Sequence, residues 1–155
     1  GLIGSGTLGN GVARLAEAFG MRVLRAERKG AAVVRPGYTA FADVLAEADV
    51  VVCHGGSGTT FGALAAGVPL VIAPMFADQF ANGAKVAASG AGVTLGSGAA
   101  GGRRRPLSWA DGSPLAQAIE TVRRDRSYRL AAHQIATEMA SAPTIDELLM
   151  DLLAQ

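Results

Sequence analysis

The sequence predicts a doubly wound α/β fold: one parallel sheet of five main strands in the order 2-1-3-4-5, followed by C-terminal helices. Three observations lead there. Short apolar runs alternate with helical stretches along most of the chain. Val50-Val51-Val52-Cys53 is an uninterrupted, β-branched run of the kind a parallel sheet buries on both faces. Two glycine-rich segments each follow a strand and open a helix. Parallel neighbours need crossover helices, and those helices cover both faces of the sheet. The whole chain, residues 1–155, reads as one domain.

The elements follow in order. Leu2-Ile3 is the tail of a first strand. Leu8, Val12, Leu15, Ala16 and Phe19 recur at helical spacing, and Gly20 stands where a helix stops. Met21–Ala26 reads as the second strand, and residues 27–39 as a basic, Gly/Pro-punctuated loop with a short edge strand at Ala32–Val34. Phe41, Val44 and Leu45 mark a short helix before the Val50–Cys53 strand. Thr59–Ala66 is a helix ended by Gly67, Pro69–Ala73 a strand, 77–89 a helix and Gly92–Leu95 the last strand. Residues 96–108 form a Gly/Arg-rich loop. Three helices close the chain near 113–124, 127–140 and 144–154, the last with Thr144 as N-cap and Glu147 three residues on.

Composition narrows the function. The 155 residues include 21 Gly, are 50% hydrophobic and carry a net charge of +1, which gives no electrostatic footprint for nucleic acid. The one cysteine, Cys53, excludes an intrachain disulfide and a multi-cysteine zinc site, and no metal site is expected. No apolar run has the length of a membrane span and no signal peptide is evident, so the expected compartment is the cytoplasm. The chain opens Gly1-Leu2-Ile3-Gly4 without an initiator Met, as a fragment or processed chain would.

Gly4-Ser5-Gly6-Thr7-Leu8-Gly9 fits G-x-G-x-x-G between a strand end and an amphipathic helix. Gly4 permits the tight turn, Gly6 lets a pyrophosphate approach the backbone, and Gly9 lets helix and strand pack closely. The amides of Thr7 and Leu8 then face the anion. Glu27, 18 residues after Gly9, would accept hydrogen bonds from a ribose, and the adjacent Arg28 and Lys29 would tolerate a 2′-phosphate. The competing reading is a tight turn that binds nothing. This Rossmann-like opening, with Ala18–Leu24, Ala26–Ala31 and Phe41–Val50, resembles the NAD-binding domain of D-2-hydroxyacid dehydrogenases, in the glycerate dehydrogenase (hydroxypyruvate reductase) branch. The resemblance covers residues 1 to about 52 and implies NAD or NADP as ligand.

A second cradle follows: His54-Gly55-Gly56-Ser57-Gly58-Thr59-Thr60, then Gly67-Val68-Pro69 and Phe76-Ala77-Asp78-Gln79. From about residue 50 to the end, the sequence resembles the C-terminal, donor-binding lobe of GT-B glycosyltransferases, of the bacterial antibiotic and macrolide type in the UDP-glycosyltransferase superfamily. That resemblance implies that His54, Gly56, Ser57, Gly58 and Thr59 hold a nucleoside diphosphate. It also implies that Asp78 and Gln79 touch the donor sugar.

Bland roles stand beside these. His54 could be a simple capping imidazole, Asp78 and Gln79 helix caps, Cys53 a small apolar residue, His133 a surface residue, Arg103–Arg105 a solvated loop and Trp109 a packing anchor. Because the two resemblances meet at the Val50–Cys53 strand, the expectation is an engineered or recombined chimera of residues 1–52 and 53–155. Neither parent's active site is complete in it: the dehydrogenase catalytic Arg, Glu and His and the glycosyltransferase acceptor lobe are not in the sequence. The chain is therefore expected not to be an enzyme and to have no catalytic residue. Weak binding of NAD(P) or a nucleoside diphosphate at the two loops is expected, with self-association through exposed apolar surface; the alternative is the donor-binding lobe of a nucleotide-sugar-dependent glycosyltransferase, or an NAD-binding fragment of a 2-hydroxyacid dehydrogenase.

Overall fold

The structure is a computed structural model that describes residues 1–4, 6–96 and 112–153. Ser5, the Arg103–Arg105 run, Trp109 and all but the first residue of the 96–108 segment lie outside the described residues. The elements run β1 (Leu2–Ile3), α1 (Thr7–Ala18), β2 (Arg25–Ala26), α2 (Phe41–Ala46), β3 (Val51–Cys53), α3 (Ser57–Ala65), β4 (Leu70–Ile72), α4 (Gln79–Ala88), β5 (Gly92–Thr94), α5 (Gly112–Arg124), α6 (Arg126–Ser141) and α7 (Ile145–Leu153). The strand–helix alternation is the one the apolar runs predict.

All strand pairs are parallel, but the single sheet divides in two. Among the described residues, hydrogen bonds join β1 to β2 and, separately, β3, β4 and β5 in that order. Both orders agree with 2-1-3-4-5; the ladder expected between β1 and β3 is the part that is missing. The second strand, expected over Met21–Ala26, is only Arg25–Ala26, and β1 is equally short. Strands of two residues offer few groups with which to continue a ladder. The edge strand expected at Ala32–Val34 is loop; Thr39 instead bridges Ala26 in parallel. Pro36 and Gly37 interrupt this segment, and Arg35 is bound to Glu27.

The core belongs to the larger sheet. In β4, Leu70, Val71 and Ile72 are fully buried. Leu45, Val51, Ala63, Leu64, Val68, Val86, Ala91 and Ala132 close around Leu70 and Ile72, joining β3, α3, α4 and α6. Each large aliphatic side chain removed from water here contributes about 1.5–3 kcal/mol. Arg129 of α6 donates to the backbone carbonyls of Ala48 and Asp49, at 3.2 and 3.0 Å, and so ties the C-terminal helices to the turn before β3. Thr144 and Glu147 form the expected reciprocal cap at the start of α7: each backbone amide donates to the other's side chain.

Around the smaller sheet the packing is thin. The helical stripe of α1 is exposed at Leu8, Val12, Leu15 and Phe19, and only Ala13 of that helix is buried. Two two-residue strands present too little surface to cover it.

Candidate functional site

Both glycine loops lie at the carboxyl ends of their strands and open onto one cleft of about 280 Å³ lined by Ile3, Gly4, Glu27, Lys29, Gly58 and Thr59, among others. At the first loop, Gly4 takes φ +98°, and Gly6 is the N-cap of α1 without a side-chain cap. A Cβ on Gly9 would collide with the Gly4 carbonyl oxygen, so the close strand–helix approach requires glycine there. Above Gly6 the space is open. Thr7 and Leu8 begin α1 with exposed side chains.

The second loop is more firmly built. Gly55 takes φ +90°, and a Cβ there would lie 2.9 Å from Ile72 Cγ2 and 3.0 Å from the Gln79 carbonyl oxygen. Its own carbonyl accepts from Asn82 Nδ2 at 2.9 Å, and the same amide nitrogen donates to Asp78 Oδ2 at 3.1 Å. The start of α4 is thereby pinned to the loop. Gly56 is the N-cap of α3, again without a side-chain cap on the leading amides of Ser57, Gly58 and Thr59 among the described residues. His54 is exposed, and its ring lies over Gly56, where a Cβ would sit 2.5 Å from Nε2. Burial pushes the Cys53 thiol pKa up, as suits a small packed side chain.

Asp78 and Gln79 separate in role. Asp78 is exposed and accepts from Asn82. Gln79 is 5% exposed, and its Oε1 accepts from the amides of Met75 (2.8 Å) and Phe76 (3.2 Å), so its carbonyl end holds the turn that leads into α4.

Glu27 is not poised for a ribose. Its carboxylate is buried and takes Arg35 Nε at 2.6 Å, a second Arg35 nitrogen at 2.9 Å and the Arg28 amide at 2.9 Å. Those bonds lower its pKa from 4.5 to about 2. Arg35 also lies over the Tyr38 ring, 4.0 Å from its centroid. Arg35 gave no signal in the strand-to-acid spacing, yet its fork engages the acid that spacing singles out. Arg28 is exposed and lines the cleft, and Lys29 Nζ reaches the Gly58 carbonyl at 3.4 Å. Lys29, expected with Arg28 to tolerate a 2′-phosphate on a ribose, is instead carried to α3 by the fold of the 27–39 loop. Among the described residues, no group of three or more His, Cys, Asp or Glu could hold a metal ion. No described helix is long and apolar enough to cross a membrane.

A parallel α/β domain with open helix starts at the carboxyl edge of its strands defines the class of fold that seats ligands at that edge. The chain belongs to the family of the erythromycin biosynthesis protein CIII-like, C-terminal domain, which it matches over residues 27–155. It is 33% identical over 111 residues to L-demethylnoviosyl transferase of Streptomyces niveus, covering 72% of this chain and 27% of that protein. It is 36% identical over 106 residues to the elloramycin glycosyltransferase ElmGT of Streptomyces olivaceus, covering 68% of this chain and 24% of that protein. The chain thus spans about a quarter of the length of these relatives. Among solved structures, Streptomyces sp. SF2575 glycosyltransferase SsfS6 complexed with thymidine diphosphate superposes with a TM-score of 0.64 at 26% identity, over 97% of this chain and 38% of that one. The spinosyn rhamnosyltransferase SpnG complexed with spinosyn aglycone does so with a TM-score of 0.66 at 25% identity, over 96% and 40%.

These findings correct three expectations. The relatives are glycosyltransferases, so the expectation that the chain does not belong to an enzyme is overturned. The chimera is not supported: the family match runs unbroken across the junction expected at residues 50–53. The likeness to a putative 2-hydroxyacid dehydrogenase of Haemophilus influenzae, 56% identical, is confined to 54 residues, 35% of this chain and 17% of that protein. NAD(P) is not supported either, because Arg35 occupies the carboxylate meant for the ribose.

Proposed function

We propose that the chain is the donor-binding lobe of a nucleotide-sugar-dependent glycosyltransferase and that it seats a nucleoside diphosphate in the cleft between the two glycine loops. The carrying observation is that the family match includes the whole His54–Thr60 loop, whose helix start opens on that cleft without a side-chain cap. The amides of Gly56, Ser57, Gly58 and Thr59 would take the diphosphate, with His54 on the rim. The uncapped start of α1 at Gly6, Thr7 and Leu8, set by Gly4 and Gly9, would be a second anion-facing edge, and Arg28 a flanking cation. Asp78 would face the sugar, while Gln79 positions it by holding the 75–78 turn. As the sugar–phosphate bond breaks, negative charge grows on the leaving diphosphate, and fixed backbone dipoles stabilise that charge without reorganising. SsfS6 has been solved with thymidine diphosphate, which supports this ligand class.

Calorimetric titration with thymidine diphosphate, UDP, ADP and NAD tests the reading. Saturable binding of a pyrimidine nucleoside diphosphate is expected, with NMR shifts at the Gly58 and Thr59 amides. Absence of binding at millimolar ligand, or binding that leaves those amides unmoved, refutes it.

A further inference from the structure

We propose that Lys29 is a phosphate-binding cation of this cleft, delivered to α3 from the loop after β2. The inference rests on the donor-lobe reading and adds to it the group that balances the ligand's charge. Two uncapped helix starts together offer roughly one elementary charge of positive potential, about half from each. A single phosphate monoester already carries about −1.5 to −2 at pH 7, and a diphosphate brings more. Cations are needed to close that difference, and Lys29 is placed to supply one beside Arg28. Its Nζ stands 3.4 Å from the carbonyl of Gly58, a residue that lines the cleft. It also lies 3.7 Å from where a Cβ on Gly62 would stand, so it spans the first turns of α3.

The side chain is exposed and lines both the 280 Å³ cleft and an adjoining one of about 530 Å³. The carboxylate closest in sequence, Glu27, is taken up by Arg35, and among the described residues no ion pair to Lys29 is formed. A carbonyl at 3.4 Å is a long and weak partner for an ammonium. Phosphate oxygens arriving over Gly58 would replace it with charge-assisted bonds.

The test titrates thymidine diphosphate into the wild type, Lys29→Gln and Lys29→Arg at low and at 0.5 M salt. Because Lys29 is exposed, all three should melt at the same temperature. A loss of about tenfold in affinity is expected for Lys29→Gln at low salt. The loss should shrink at high salt, where screening acts within about 3–5 Å, and Lys29→Arg should recover at least half of it in logarithmic terms. A loss below threefold in Lys29→Gln, or no recovery in Lys29→Arg, overturns the assignment of Lys29 while the donor-lobe reading stands. A wild type that binds no nucleoside diphosphate overturns the donor-lobe reading and Lys29 with it.

Discussion

Gly55 and Gly58 sit three residues apart, and the structure assigns them opposite costs. At Gly55 the backbone is left-handed, with φ +90°, a region that costs a residue bearing a Cβ about 1–2 kcal/mol. A Cβ there also meets Ile72 Cγ2 at 2.9 Å and the Gln79 carbonyl at 3.0 Å, and neither neighbour is a free side-chain end. Overpacking of that kind adds about 1–3 kcal/mol. Gly55→Ala should therefore cost about 2–5 kcal/mol. At about 2–4 °C per kcal/mol for a domain of this size, the melting temperature should fall by roughly 4–20 °C. Gly58 has ordinary backbone geometry, and a Cβ there meets nothing within 4 Å. Gly58→Val should leave the melting temperature within about 2 °C, since substitutions in open space stay within about 0.5 kcal/mol. Yet Gly58 lines the cleft, so the valine should weaken thymidine diphosphate binding at least tenfold, equivalent to about 1.4 kcal/mol. Differential scanning fluorimetry and calorimetry on the two variants read both quantities. The reasoning fails if Gly55→Ala melts with the wild type, or if Gly58→Val binds with full affinity.

Two further outcomes follow from the core and the latch. Leu70→Ala, at a fully buried position in the middle of the larger sheet, should cost about 2–5 kcal/mol by urea unfolding; a loss under 1 kcal/mol would show that β4 is not the centre of the core. Glu27 has a folded pKa of about 2 against 4.5, so its stabilisation is fully present above about pH 4.5 and drains away as pH falls toward 2. The stability gap between wild type and Glu27→Gln should be flat above pH 5 and close between pH 4.5 and 2, and a gap that does not change with pH would dissolve the latch.

Much of the fold was legible because parallel α/β architecture writes itself in local signals. The β-branched run at 50–53, the apolar run at 69–73 and the glycines that end helices locate β3, β4 and their crossovers to within one or two residues. The division of the sheet was not legible. Met21-Arg22-Val23-Leu24 carries strand-forming residues, and whether they pair depends on β1, which lies across α1 and is itself only two residues long. The stripe on α1 misleads for a related reason: period 3.6 reports that a face is apolar, not that anything covers it. Glycine spacing located both strand-to-helix loops, because backbone conformation and close approach are local demands. Glu27 was misassigned, since its partner Arg35 reaches it through the shape of a Gly/Pro loop that no spacing rule describes.

That misassignment has a structural logic. An acid at the end of a β2-type strand suits a ribose only while its oxygens are free. Here an arginine eight residues later supplies two parallel donors, the Arg28 amide supplies a third, and the carboxylate is spent inside the protein. The bond also closes the loop from residue 27 to 35 into a short ring of chain that projects Arg28 and Lys29 toward α3. Neutralising Glu27 internally removes the negative charge that would otherwise repel a phosphate entering between the two helix starts. It also frees the neighbouring cations from a competing carboxylate. The residue that would draw a dinucleotide's ribose in one context is here, among the described residues, the one carboxylate lining the cleft, already paired, beside Arg28 and Lys29.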